Sequence, residues 1–533
     1  MKKTSYLTVR HWKEDLLASI VVFLVALPLS MGIAIASGVP LEKAAAVGLF
    51  TAAIAGIVNG TLSGCPLQVS GPAAGLAVMV ALFVERFGFD NLGIIVLLAG
   101  LIQLAAGMLR LGPVFRAVSP ALIQGMLAGI GVLIFAAQFH VMVDDLPPGT
   151  GKEFGGLINL WTLPKAVWKG VMETAHRPAA LTGLLTIATI VLWAKWSPAK
   201  LKLIPPPLIG VIVGTAFAVI LSLPAKTVPV PENLLSAIDW LHPLDFHLLG
   251  QAGIWWAAVS LAFVASAESL LTATAVDAMQ NRTPRTRYSQ ELFAQGVGNT
   301  VAGILGLMPM TGVIVRSTAN VMAGAYTRLS AILHGVWILV FVALLPDILR
   351  LIPVASLAAV LVYTGFKLMN PKVIRELWQT DRSEAGVYTA TLVSVVAIDL
   401  LTGIVIGIVL ALVKLLWSIS RLEIVTHLDP RTKRAELHLK GAATFIRLPK
   451  LAAALEELPS DAKVHVYLHE LSYIDHACLN LLVNWEQQHK AAGGELVIDW
   501  DTLHAVFQQH VWGNQAAAKA ENQIDNDKIK ALS

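Results

Sequence analysis

Two ionisable side chains stand inside long apolar stretches of this 533-residue chain, and both are of types that hold ions. Arg316 closes the run Thr311-Gly312-Val313-Ile314-Val315-Arg316. A charge at a bilayer centre costs at least ~2.5–3.5 kcal/mol and marks function by default. Here it could add a full positive charge to an anion site, pair with a carboxylate, or snorkel to the surface. Glu268 lies in Ala265-Ser266-Ala267-Glu268-Ser269-Leu270-Leu271-Thr272. Thr272 is one helical turn on and shares its face. A carboxylate beside a hydroxyl could hold Na⁺, and the carboxylate could instead carry a proton. A Glu268–Arg316 salt bridge would be the structural use of the same pair.

Near these charges the apolar pattern interrupts itself twice, at Gly64-Cys65-Pro66-Leu67-Gln68-Val69-Ser70-Gly71-Pro72 and at Gly306-Leu307-Met308-Pro309-Met310-Thr311-Gly312. Gly and Pro are common in membrane helices, but these breaks match in context. Pro66 and Pro309 lie 243 positions apart. Proline cannot donate a hydrogen bond and disfavours helix on its N-terminal side. A short helix starting after each break presents free N–H groups, worth about +0.5 of an elementary charge. Two such starts facing each other make a site for an anion. Its candidate ligands are Gln68, Ser70, Gly71, Thr311, Gly312 and Arg316, with the two hydroxyls either donating to the anion or capping the helix starts. Glu268 and Thr272 are the candidate coupling-cation ligands, for Na⁺ or H⁺. Gln103, Gln124, His334 and Asp399 read as interhelical hydrogen bonds or turn caps. Gly125, Gly129 and Gly131 read as close helix contacts. No zinc-protease, phosphate-loop, nucleophile-elbow or metal-spaced Cys/His motif occurs, so neither catalysis nor a cofactor is expected.

The elements that must carry these residues follow from composition. The chain is 56% hydrophobic and 14% charged, against about 25% charged in soluble proteins. The first 420 residues hold 27 basic and 20 acidic side chains, and the last 113 hold 12 and 15. Only the tail resembles a soluble domain, which excludes a single globular enzyme, a disulfide scaffold and a nucleic-acid binder. Cys65 and Cys478 fall in different regions. Fourteen membrane segments are expected near 16–36, 44–62, 70–84, 92–109, 117–139, 179–196, 206–223, 253–275, 290–306, 311–324, 329–345, 353–366, 384–398 and 400–419. The 384–398 and 400–419 pair could also be one hairpin around Asp399. Seven precede the long 224–250 loop and seven follow it, and an odd repeat inverts the second copy. Lys and Arg cluster on one side, among them Lys2, Lys3, Arg10, Lys13, Arg282, Arg285 and Arg287. The short loops opposite hold only Lys43, Arg86, Lys226 and Arg350. Both termini are therefore expected in the cytoplasm. Ala34-Ile35-Ala36 resembles a signal-cleavage site, but its apolar run is longer than a signal's and more spans follow. The expected division is residues 1–15 as a cytoplasmic start, 16–420 as the membrane domain, 421–512 as an α/β domain and 513–533 as a flexible tail. In the α/β domain, strands are expected at Ala435–Leu439, Val464–Leu468 and Glu495–Asp499, with helices at Leu448–Leu458 and Ala477–Lys490.

The run Val25-Ala26-Leu27-Pro28-Leu29-Ser30-Met31-Gly32-Ile33-Ala34, the Gln68–Pro72 break, Glu268–Thr272 and Thr311–Arg316 together resemble the SulP family of inorganic anion transporters. The tail resembles the STAS domain that closes SulP chains, with Leu471-Ser472-Tyr473-Ile474-Asp475-His476-Ala477 at its signature loop. The resemblance implies a seven-plus-seven inverted repeat that moves sulfate, bicarbonate or a related anion with Na⁺ or H⁺, or by exchange. It also implies Ser70 and Thr311 at the anion, Glu268 and Thr272 near the cation, and a homodimer. Many STAS domains offer a phosphorylatable Ser after the loop aspartate, whereas His476 and Ala477 stand here. Two other readings stay open: a nucleobase permease of the same architecture, and a membrane-anchored STAS signalling protein.

Overall fold

The structure, a computed structural model, describes residues 11–113, 119–150, 154–198, 201, 204–230, 238–240, 249–429 and 434–498. The expected flexible tail at 513–533 and the first ten residues lie outside the described residues. The chain divides into two compact units, Met1–Val409 and Leu410–Ser533.

Each of the fourteen expected segments carries a helix, the last of them running past the boundary at Val409. In order these are Trp12–Ala36, Leu41–Leu62, Ala74–Phe87, Leu92–Met108, Pro120–Met142, Arg177–Trp196 and Pro206–Ile220, then Ala252–Met279, Tyr288–Ile304, Ile314–Met322, Leu329–Leu344, Val354–Met369, Arg382–Ala397 and Leu400–Ile419. Among the described residues seven helices are long and apolar enough to cross a membrane, and several others are shorter. Shortness is tolerable where the path is buried in protein rather than lipid, because the freed backbone groups find partners there.

The most extensive contacts between the two sets of seven come in matched pairs. The fourth helix packs along the ninth and the second along the eleventh. The fifth packs along the thirteenth and the sixth along the twelfth, while the fifth and twelfth pack on each other. Exchanging the halves returns the same list, which is the internal symmetry of a repeat. Glycines let the fifth helix sit close: a Cβ at Gly125 would stand 2.6 Å from the Tyr388 carbonyl oxygen, and one at Gly131 2.7 Å from that of Gly365. The expected hairpin around Asp399 takes the form of a sharp junction. The Asp399 carboxylate accepts from the Thr402 N–H (2.9 Å) and hydroxyl (2.6 Å), capping the last helix. The 140–178 loop holds two further helices, Gly155–Trp161 and Leu163–Met172.

The second unit is a four-stranded sheet in the order Leu422–Asp429, Arg434–Ala443, Lys463–Ile474, Glu495–Ile498. The first pair is antiparallel and the other two are parallel. Parallel neighbours need a crossover, and the helices Leu448–Glu456 and His476–Ala491 provide it. Ala435, Leu437 and Leu439 alternate into the core with Val464, Val466, Leu482 and Leu496. Asp475 caps the second of these helices, accepting from the Cys478 N–H at 2.8 Å, and also accepts from the Phe445 N–H. The strand Leu422–Asp429 was not among those expected. It lies at the sheet's edge with Val425 and Leu428 exposed, so its inward–outward alternation is weak.

Candidate functional site

The helix Tyr288–Ile304 ends in a Schellman closure. Leu307 N–H reaches back to the Ala302 carbonyl (2.8 Å) and Gly306 N–H to that of Gly303 (3.1 Å). Gly306 is left-handed at φ 62°, a conformation glycine adopts without the Cβ penalty. The chain then runs extended to Thr311–Gly312, which pairs antiparallel with Ser70–Gly71, Ser70 opposite Gly312 and Gly71 opposite Thr311. The two breaks, more than two hundred residues apart in sequence, therefore touch. Val313 N–H extends the pairing to the Val69 carbonyl at 2.9 Å.

The short helices begin later than the sequence pattern suggests, at Ala74 and Ile314 rather than 70 and 311. The residue before a proline is pushed to extended backbone, so Pro72 keeps Gly71 in the strand and delays the first helix. Neither start has a side-chain cap. Ser70 and Thr311 accordingly sit on the crossing strands and do not cap the helix ends. Ile314 and Val315, in the first turn of the second short helix, are each 44% exposed although Arg316 beside them is fully buried.

Arg316 packs its guanidinium over Gly71, where a Cβ would overlap Nη1. Its Nη2 donates to the Ser30 hydroxyl (3.0 Å) and the Pro72 carbonyl (3.4 Å), while Nε and Nη1 have no partner among the described residues. Glu268 faces the same segment one turn on, since a Cβ at Gly75 would stand 2.7 Å from its Oε1. Its carboxylate lies beside the Thr311 side chain, and Oε2 is buried without a partner among the described residues. Among the described residues Glu268 and Arg316 form no ion pair, so the salt bridge considered from sequence is not what holds them. Thr272 donates to the Gly312 carbonyl at 2.9 Å, and Ser269 accepts from the Gly312 N–H at 3.0 Å. All eight candidate residues thus gather around one crossing. Gln68 differs in orientation from the expectation: its amide nitrogen donates to Glu291 at 2.9 Å, and Oε1 has no partner among the described residues.

One face of Tyr288–Ile304 holds both breaks in place through residues spaced four apart. Glu291 is fully buried and accepts from the Ser63 hydroxyl and the Gly64 and Cys65 N–H groups. Gln295 donates to Ser70, and Asn299 exchanges bonds with both backbone groups of Met310. From the other side, Ser317 accepts from the Val69 N–H and Asn320 donates to the Leu67 carbonyl. Gln103 joins Ser266 to Asn299 as an interhelical link. His334 instead bonds within its own helix, to the Ala331 carbonyl, and Gln124 is exposed. The buried Glu291 escaped the sequence reading, although Glu291, Gln295 and Asn299 at four-residue steps through an apolar segment were a visible polar stripe.

The arrangement places a buried cation with unused donors and a buried carboxylate with an unused oxygen on neighbouring turns of one crossing. Such a site can take a small anion and a small cation together.

The chain is similar to known proteins along most of its length. The pattern of the sulfate permease family matches residues 12–391. The chain is 26% identical over 502 residues to YvdB of Bacillus subtilis, provisionally named a sulfate transporter, covering 92% of this chain and 91% of that one. It is 25% identical over 445 residues to the bicarbonate transporter BicA of Picosynechococcus, covering 79% and 73%. Among solved structures, the transmembrane domain of a cyanobacterial BicA superposes with a TM-score of 0.63 at 23% identity, over 76% of this chain and 98% of that one. The murine Slc26a9 anion transporter in its inward-facing state gives 0.76 at 15% identity, over 94% and 88%.

Proposed function

Since this chain belongs to the sulfate permease family, we propose that it carries sulfate or bicarbonate across the cytoplasmic membrane by secondary active transport coupled to Na⁺ or H⁺. The observation that carries this reading is Arg316: a fully buried guanidinium whose Nε and Nη1 have no partner among the described residues, beside the paired strands from which both short helices start. A buried donor without an acceptor is expensive, and an oxyanion with several acceptor atoms satisfies it. Both helix starts add their partial positive charge to the same place.

Coupling follows from charge balance. Arg316 alone would be neutralised by a bound anion, and Glu268 alone by a bound cation. With bicarbonate and one cation bound the crossing carries no net charge through the low-dielectric interior, and with either one alone it carries an unpaired charge at high cost; sulfate, with two charges, reaches the same balance with a second cation. Glu268 supplies a carboxylate oxygen, and Thr272 keeps oxygen lone pairs available while its proton is given to Gly312. Oxygen ligands of this kind suit Na⁺, and a bound proton on Glu268 would serve the same balance. Access alternates as one helix bundle rocks against the other around this crossing. The α/β unit acts as a STAS domain, with both termini in the cytoplasm and two copies forming the working homodimer.

Uptake of labelled sulfate and bicarbonate into proteoliposomes, with and without imposed Na⁺ and pH gradients, tests the reading. The wild type is expected to concentrate one of the two anions in response to one of the gradients. Glu268→Gln is expected to abolish that response. A gradient response surviving in Glu268→Gln would overturn the coupling role.

A further inference from the structure

Ser70 has one proton to give, and what it can give it to is decided, through Gln295, by a carboxylate it does not touch. Glu291, fully buried, receives five donors and no other partner type: at Oε2 the Ser63 hydroxyl (2.5 Å) and the N–H groups of Gly64 (2.9 Å) and Cys65 (3.1 Å), at Oε1 the amide nitrogens of Gln68 (2.9 Å) and Gln295 (2.8 Å). A carboxylate only accepts, so the Gln295 amide must turn its NH₂ toward it. With that orientation the Gln295 oxygen accepts from Asn59 Nδ2 at 2.9 Å, and the second amide proton goes to Ser70 Oγ at 2.7 Å. The hydroxyl of Ser70 therefore accepts on the protein side, and its own proton reaches no acceptor among the described residues. Facing the crossing, it keeps that proton to donate. A neutral amide at 291 would let Gln295 turn over and offer its oxygen. Ser70 would then spend its proton on Gln295 and present lone pairs, which repel an anion.

We propose that Glu291 and Gln295 are positioning residues that fix the Ser70 hydroxyl as a donor to the transported oxyanion. The proposal rests on the reading that Ser70 faces that anion. It also explains how an acidic side chain can support an anion site: its charge is consumed by five donors, and what it passes on is hydrogen-bond direction.

The test is a double-mutant cycle in proteoliposomes of the full chain, reading KM and maximal rate for labelled sulfate and bicarbonate per folded molecule. Ser70→Ala is expected to raise KM about tenfold, the usual worth of a hydrogen bond to a charged group, with the maximal rate largely kept. Gln295→Met, of similar volume, leaves the grip of Glu291 on Ser63, Gly64, Cys65 and Gln68 in place and is expected to raise KM similarly. Gln295→Met combined with Ser70→Ala is expected to be no worse than Ser70→Ala alone. Glu291→Gln, should Gln295→Met not fold, is expected to show the same non-additivity. Full additivity in the double variant would overturn the positioning role while leaving Ser70 as an anion ligand. An unchanged KM in Ser70→Ala would overturn the reading of Ser70 itself, and the positioning role with it.

Discussion

Arg316 and Glu268 are the side chains that sequence and structure single out together, and they differ in how fully the fold uses them. Ser30 and the Pro72 carbonyl occupy one arm of the guanidinium, which leaves the other arm and Nε for a ligand. Glu268 keeps one oxygen. Thr272 adds a smaller share, holding the Gly312 carbonyl in line and offering its oxygen to a cation. Thr272→Val keeps the shape and removes both. It is expected to raise the half-saturating cation concentration about two- to tenfold, since one hydrogen bond of this kind is worth roughly 0.5–1.5 kcal/mol net, while KM for the anion at saturating cation stays within twofold. Titrating uptake against cation concentration reads this directly. At this scale the sequence was informative where a charge interrupted an apolar run. It was silent on Asp15 and Glu291, which lie near helix starts where charge is ordinary. Asp15 is fully buried and accepts from Thr327 and the Tyr326 N–H, partners more than three hundred residues away that no local pattern announces.

The element that matters most is the pair of two-residue strands. Matching Gly/Pro breaks were enough to expect that residues 70 and 311 approach each other. That they would pair as β-strands was not legible, because a two-residue strand has no periodicity and its partner lies in the other repeat. The delayed helix starts follow from the same backbone geometry at Pro72. Gly71 is where this element and Arg316 compete for one volume: the absent Cβ is the space the guanidinium occupies. Gly71→Ala is therefore expected to displace Arg316 at an overpacking cost of about 1–3 kcal/mol. Uptake should fall more than tenfold while the helical circular-dichroism signal stays at the wild-type level. Wild-type uptake in that variant would show that the guanidinium has another place to sit.

Across the whole molecule, the repeat was readable from the odd number of segments before the long central loop, and the matched helix contacts carry the same symmetry into three dimensions. The symmetry stops at the chemistry. Arg316 has Leu76 or Ala77 near its place in the first short helix, and Glu268 has no acidic counterpart in the first span beyond Glu14 and Asp15 at its start. One half thus supplies both charges and the other supplies the glycines that make room for them. The α/β unit was legible in its helices and central strands, where alternation is strong, and illegible at its edge strand, where one face meets no core.

The central claim is that Arg316, set between the two breaks, holds the transported oxyanion. Its most direct test is the concentration dependence of labelled sulfate and bicarbonate uptake by purified Arg316→Gln and wild-type protein in matched proteoliposomes. Loss of charge-assisted hydrogen bonds worth roughly 1.5–3 kcal/mol predicts a KM raised by about ten- to a hundredfold in Arg316→Gln. An unchanged KM for the transported anion would contradict the account.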